Sequence, residues 1–433
     1  MEAVINDTQT ATVEDQSPKK GFAIHEDWTV VVLGFLIIFL AISGVIVPAP
    51  SFGWSSVDDL STKLFSTENT QAVGYQFLLV VLIAALGAVL TGKPIKRLLI
   101  VFPVVYIITL FALIISGNKG VKALNLEAVI FSLSLGLVFG NFFKLPDWFR
   151  KALSTELYVK IGLVLLGTGV IFSDILKAGS LGLIQALLVV LSVWYFAFWL
   201  CKKLKVDDEL TMMISSAVSI CGVSAAIATS GAIKGDSKKL SYVISMVLIT
   251  AIPMMIFMPY IAQYFNFPEA VTGAWLGGSI DTTGAVVASG TLVGEEALKI
   301  STIVKFSQNV LLGIAAFAIS VFWTYTDHTS AQAADTKPTL AVIWERFPKF
   351  VIGFIAASLL FSFIIPAETT TTVKDSLKSL QGLWFALAFT SIGLETNFSD
   401  LFSKNSKKPF YAFLIAQGFN IIVTLVIAFI LFS

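Results

Sequence analysis

The chain predicts an all-α polytopic membrane protein, and within that class an inverted-repeat secondary transporter with two broken helices that can cross or re-enter. Three observations lead there. Of 433 residues, 56% are hydrophobic and 13% charged, where an ordinary soluble domain carries roughly 25% charge. Two glycine-broken polar runs, Ser219-Ile220-Cys221-Gly222-Val223-Ser224 and Gly277-Gly278-Ser279-Ile280-Asp281-Thr282-Thr283-Gly284, interrupt long apolar segments. A short pattern also recurs: Gly167, Phe172, Ser173 and Asp174 return at one fixed offset as Gly393, Phe398, Ser399 and Asp400.

Residues 1–27 are polar and mixed in charge, and read as a cytoplasmic tail rather than a secretory signal, whose basic region would come first. Residues 28–433 form the transmembrane domain. Apolar stretches lie near 28–47, 74–91, 98–116, 127–143, 158–177, 181–200, 240–263, 299–322, 347–365, 381–397 and 409–432, about eleven spans at roughly 20 residues each. The broken segments near 208–235 and 268–296 are additional.

Basic residues orient the spans, because short cytoplasmic loops carry the excess of Lys and Arg. With the N-terminus inside, Lys93, Lys96 and Arg97, then Lys144, Arg150 and Lys151, then Lys202, Lys203 and Lys205 all fall inside. Lys234, Lys238 and Lys239 join them only if the Cys221 segment re-enters. The loop at Phe265–Pro268, which lacks lysine, then lies outside, and the Asp281 segment dips in from the opposite face. The expected location is a bacterial inner membrane. The repeated pattern, under this count, sits on two helices of opposite direction, as in transporters that alternate access between inverted halves.

Other function classes lose ground on composition. The net charge is +1 and no basic cluster is interleaved with aromatics, so nucleic acid is not an expected partner. The two cysteines, Cys201 and Cys221, and the two histidines, His25 and His328, are too few for a metal centre, and none is expected. An intramembrane enzyme with Cys221 or Ser224 as nucleophile needs a base within reach. Neither histidine lies in an apolar segment, so the chain is not expected to be an enzyme and no catalytic residue is assigned. Rings of charge or filter repeats, which a channel would show, are absent from the sequence.

The breaks carry the chemistry. Gly222 lets the first chain turn, after which Ser224 can cap a new half-helix whose free amides favour an anion. Ser219, Cys221, Gly222, Val223, Ser224 and Ala225 are the substrate-binding candidates there. A Gly/Ser/Ala face for close helix packing is the alternative. Asp281 is ionisable inside a span, which marks a functional candidate by default. With Ser279, Thr282 and Thr283 it offers oxygen ligands for Na⁺ or a site for a proton, or it caps the second half-helix. Ser301, Lys305, Gln308 and Asn309 share one face of the next helix. Lys305, Gln308 and Asn309 are candidates for an anionic substrate, against a purely structural Lys305–Asp281 pair. Glu395 joins the ion-coupling candidates. Gln417 and Asn420 read as interhelical hydrogen-bond glue.

These same residues resemble a family. Ser219-Ile220-Cys221-Gly222 with Ala225, Ala226, Ala228 and Thr229, then Gly278-Ser279 with Val286-Val287-Ala288 and Gly290, then Lys305, then Ile392-Gly393-Leu394 are similar in order and spacing to the sulfate-exporter (YeiH-like) transporters. Those in turn are distantly similar to the bile acid symporter and Na⁺/H⁺ antiporter folds. The resemblance covers roughly residues 98–433 and implies a transporter of that fold. The chain departs from the family pattern in two places: Asp281-Thr282 stands where a His-Glu pair is usual, and Gln308 where an Arg commonly follows the lysine. Losing that guanidinium removes the best bidentate partner for an oxyanion. The expectation is thus a secondary transporter of a small anion of the sulfate, sulfonate or carboxylate class, coupled to Na⁺ or H⁺. A cation/proton antiporter working through Asp281 is the alternative. No cofactor is expected apart from Na⁺ as a candidate coupling ion; the lipid bilayer is the surrounding partner, with room for a homodimer.

Overall fold

A computed structural model describes residues 24–123, 128–170, 172–233, 235–325, 344, 347–396 and 407–433. The expected tail is thus described only from residue 24, and Phe398, Ser399 and Asp400 of the second repeat copy lie outside the described residues, as do Lys234, Lys404 and His328. Among the described residues no strand forms, and seven helices are long and apolar enough to cross a membrane.

The principal helices are α1 Glu26–Ile42, α2 Thr67–Leu90, α3 Ile95–Ser116, α4 Ala128–Phe142, α5 Thr155–Leu166, α6 Phe172–Lys203, α7 Asp208–Ser216, α8 Val223–Ile233 and α9 Ser237–Tyr264. They continue as α10 Glu269–Ser279, α11 Thr283–Val293, α12 Glu295–Tyr325, α13 Phe350–Leu359, α14 Ala367–Glu395 and α15 Lys407–Phe432. Helices α1 to α5, α13 and α14 pack chiefly on one another, and α6 to α12 with α15 form a second bundle against them.

The first bundle closes through glycine. A Cβ on Gly136 would fall 2.3 Å from the Thr390 carbonyl oxygen, and one on Gly393 would fall 2.5 Å from that of Leu133, so α4 and α14 cross backbone to backbone. Small residues permit this approach in a bilayer, where dispersion and hydrogen bonds hold helices together. Thr155 meets Glu395 and Gly162 meets Phe385, which makes α5 and α14 antiparallel. The helices bearing the two repeat copies therefore run in opposite directions.

One boundary differs from expectation. The apolar stretches near 158–177 and 181–200 are divided instead at 167–170: a single 3₁₀ turn, Gly167–Gly169, ends α5, and Val170 is extended before α6 starts at Phe172. Hydropathy cannot see this break because Gly167-Thr168-Gly169 is short and near neutral and its neighbours Val170 and Phe172 are apolar. The freed backbone is satisfied from α13 and the π turn Leu360–Ile364 that follows it, where the Ser358 hydroxyl donates to the Val170 carbonyl (2.5 Å) and the Phe172 amide donates to Ser362 Oγ (3.0 Å).

Both broken segments fold back. The Asp236 amide, just after α8, donates to Glu209 Oε2 at the start of α7 (2.9 Å), and Lys239 Nζ reaches Asp207 at 2.7 Å. At the second break a Cβ on Gly294, after α11, would lie 2.7 Å from Glu269 Oε2 at the start of α10. Each segment is thus a helical hairpin that leaves on the side it entered. Between them runs α9, 28 residues and so about 42 Å long, which puts the two mouths at opposite ends of the molecule and lets the tips point toward each other.

Candidate functional site

The hairpin tips meet. In hairpin 1, α7 widens into a π turn at Ala217–Cys221, and Gly222 then turns at φ 58°, ψ −109° before α8 begins. That conformation is open to glycine and strained for other residues. A Cβ at Gly222 would also lie 2.6 Å from Val247 Cγ1 and 2.9 Å from Asp281 Cβ, so the glycine is what lets hairpin 1 touch hairpin 2. In hairpin 2, α10 ends at Ser279, Ile280 and Thr282 are extended, and Thr282 Oγ1 accepts from the Ala285 amide (3.4 Å) to cap α11.

The exposed carbonyl ends of α7 and α10 face a set of donors from α12 and α15. Lys305 Nζ donates to the Ile220 carbonyl (2.8 Å), the Ile280 carbonyl (2.8 Å) and Gln308 Oε1 (3.0 Å). Gln308 Nε2 donates to the Gly278 carbonyl at 2.9 Å. Gln417 Nε2 donates to the Ser279 carbonyl (2.9 Å), and Asn420 Nδ2 to those of Val218 (2.9 Å) and Ser279 (3.3 Å). These links satisfy backbone acceptors that in hydrocarbon would each cost several kcal/mol, and they tie both breaks to two full-length helices.

The opposite ends are exposed to space. A cavity of about 260 Å³ reaches the tips; Cys221, Ser224, Thr283 and Asn309 line its inner end, and His25, Asp27, Glu156 and Lys160 its mouth. The first amides of α8 and α11 begin here, and the first turn of a helix has no intrahelical acceptor for them. Two positive helix ends, each equivalent to about half a charge, therefore converge on one pocket. Asn309 donates to Thr283 Oγ1 (3.3 Å), while its own Oδ1, in a side chain only 6% exposed, has no partner. At the mouth, Lys160 bridges Asp27 (3.0 Å), Glu26 (3.5 Å) and Glu156 (3.5 Å).

The sequence candidates divide on this geometry. Cys221, Gly222, Val223, Ser224, Lys305, Gln308 and Asn309 gather at the tips with Asp281, Thr282 and Thr283. Ala225 is fully buried in the first turn of α8. Ser219 is placed differently from the anion-donor role expected of it: its hydroxyl donates back to the Ser215 carbonyl (2.7 Å) within its own arm. Ser279 contributes its carbonyl, whereas its hydroxyl has no partner. Asp281 is 2% exposed and its Oδ2 likewise accepts no hydrogen bond. Glu395 stands apart, accepting from Thr155 Oγ1 (2.6 Å) while Arg150 binds its carbonyl, so its partners are the ends of the first bundle and not the breaks. Among the described residues no group of three His, Cys, Asp or Glu is placed to hold a metal ion.

The sequence marks Gln417 and Asn420 as interhelical glue and does not mark Lys160 or Glu156. The first pair had a visible signal, two amides three residues apart on an apolar helix; the second had none, since charges near a span end read as ordinary termini.

Residues 100–412 match the family model described as "Conserved hypothetical protein 698". The chain belongs to this family. Proteins similar to it include UPF0324 membrane proteins from Rhodopirellula baltica (39% identical over 82% of this chain and 67% of that one), Nitratidesulfovibrio vulgaris (35%, covering 80% and 62%) and Nitrosomonas europaea (27%, covering 88% and 90%). The chain thus spans about two thirds of the length of the first and less of the second. No solved structure matches it. As a Conserved hypothetical protein 698 member with several apolar helices, the protein is a multi-pass membrane protein of transporter-like build.

Proposed function

We propose that this protein is a secondary active transporter of a small anion, held between the first turns of α8 and α11 and coupled through Asp281 to the movement of Na⁺ or H⁺. The observation that carries the reading is the polarity of the crossing: the carbonyl ends of α7 and α10 are capped by Lys305, Gln308, Gln417 and Asn420, while the amide ends of the returning arms line a cavity. Half-helices broken at mid-depth with their N-termini toward an anionic group are a recurring transporter solution. With the paired helix ends as the substrate seat, the resemblance to sulfate exporters supports sulfate, a sulfonate or a carboxylate as the class; Gln308, lacking a guanidinium, favours monovalent members.

The two-bundle build supports a cycle in which the hairpin bundle moves against the first bundle, exposing the tips to each side in turn. The basic residues support the orientation. The mouth of hairpin 1, the cavity mouth and the 91–94 and 143–154 connections share one end, which holds Lys93, Lys144, Arg150, Lys151, Lys202, Lys203, Lys205 and Lys239. By the positive-inside rule that end is cytoplasmic, in a bacterial inner membrane. The protein is proposed to be a carrier and not an enzyme.

The test is thermal stabilisation of the detergent-purified protein by a panel of sulfate, sulfonates and carboxylates. A ligand at 100 times its Kd adds about 2.7 kcal/mol to apparent stability. A panel with no shift for any anion, and a shift with cations alone, would replace this reading by cation/proton antiport.

A further inference from the structure

We infer that Lys305 is a tethered cation occupying the seat where a coupling Na⁺ would bind, so that the site is coupled to protons through Asp281. This deepens the transporter reading and rests on it.

The seat is defined by geometry. Where half-helix C-termini meet at mid-depth, their freed carbonyls are the ligands for a coupling cation. Here the two last carbonyls, Ile220 of hairpin 1 and Ile280 of hairpin 2, both point at one nitrogen, Lys305 Nζ, at 2.8 Å each, with Gln308 Oε1 at 3.0 Å. A neutral amine has two N–H bonds and three acceptors surround this one, which calls for the ammonium form, with three donors. Lys305 is 1% exposed. The titratable groups facing it are Asp281 from hairpin 2 and Cys221 from hairpin 1; α15 presents the uncharged Gln417 and Asn420, α6 the uncharged Gln185, and its own helix Ser301, Gln308 and Asn309.

Charge balance then sets the coupling. A buried unbalanced charge is costly. Empty, the Lys305 ammonium is balanced by the charge of the nearby Asp281 carboxylate, whose Oδ2 accepts no hydrogen bond. When a proton forms a bond to Oδ2, Asp281 becomes neutral and Lys305 is left as a net positive charge beside the tips, which a bound monovalent anion neutralises. Release of the anion and of the proton restores the starting pair. Proton and anion thus travel together, and Na⁺ has no seat.

The experiment uses the full chain in detergent, with melting followed in NaCl against choline chloride at constant ionic strength. The wild type is expected to be insensitive to Na⁺. In Lys305→Ala the seat opens, and Na⁺ or methylammonium is expected to raise the melting temperature saturably by a few degrees; Lys305→Arg, which keeps a cation, is expected to stay insensitive. Na⁺-specific stabilisation of the wild type would overturn the inference, because the unpartnered oxygens of Asp281, Ser279 and Gln417 would then be taking the ion despite Lys305. So would a folded Lys305→Ala that ignores both cations, or an arginine variant that responds as the alanine variant does. Should the alanine variant not fold, the wild-type result still decides. No substrate enters this measurement, so its failure is separable from failure of the anion panel.

Discussion

Gly222→Ala tests the contact on which the site depends. The substitution forces a Cβ into a backbone at φ 58°, ψ −109°, and a strained conformation of this kind costs about 1–3 kcal/mol. The methyl group would sit 2.6 Å from Val247 Cγ1 and 2.9 Å from Asp281 Cβ, so either α9 or the tip of hairpin 2 must shift. Overpacking of that kind adds about 1–3 kcal/mol, for a total near 2–6 kcal/mol. The assay is the apparent melting temperature of purified protein, paired with anion stabilisation. Gly418→Ala serves as control: Gly418 lies mid-helix in α15 with nothing within 4 Å of its would-be Cβ, and alanine there should gain about 0.5–1 kcal/mol. Expected are a clear drop and loss of anion response for Gly222→Ala, and an unchanged or higher melting point for the control. Equal melting of the two variants would refute the claim that the tips touch through Gly222.

Further expectations follow from other contacts. Asp281→Asn should preserve the fold and abolish accumulation driven by a pH gradient in proteoliposomes, and unchanged coupling would remove Asp281 from the mechanism. Asn420→Leu leaves the Val218 carbonyl without its donor and weakens the hold on that of Ser279; at about 1–3 kcal/mol for an unsatisfied buried group, it should lower melting well below that of a lipid-facing Ile422→Ala. Asp207 caps α7 by accepting from the amides of Glu209 and Leu210 and binds Lys239, so Asp207→Ala should cost about 1 kcal/mol. Partial burial pushes the Asp207 carboxyl up, but Lys239 and the two amides outweigh it and hold the value below the ordinary one. Its stabilising contribution is therefore complete above the unfolded value, about 3.9, and fades as pH falls through the lower folded one; a melting series at acidic pH should show this loss in the wild type and not in Asp207→Ala. Finally, cysteines at Glu209 and Asp236 should be labelled from one side of the membrane and one at Glu269 from the other; labelling of Glu209 and Asp236 from opposite sides would mean that hairpin 1 crosses.

The sequence by itself determined the class, the positions of the two breaks and most of the residues at the tips. It could do so because hydrocarbon penalises each polar group where it stands: Gly222, Asp281 and Lys305 are anomalous against their own neighbours, whatever the fold. Apolar length likewise located the helices, failing at 167–170, where a short Gly-Thr-Gly turn flanked by apolar residues is satisfied by Ser358 and Ser362 nearly 190 positions away. Only the tertiary structure decided that both segments are hairpins, that their tips converge, and that Gln417 and Asn420 reach carbonyls 138 and 202 residues distant. It also separated Ser219, whose hydroxyl closes on its own helix, and Glu395, held at the far end of α14, from the site they were expected to join. The reason is physical: the cost of a buried polar group is local and visible in sequence, whereas the partner that relieves it is chosen by the packing of the whole chain.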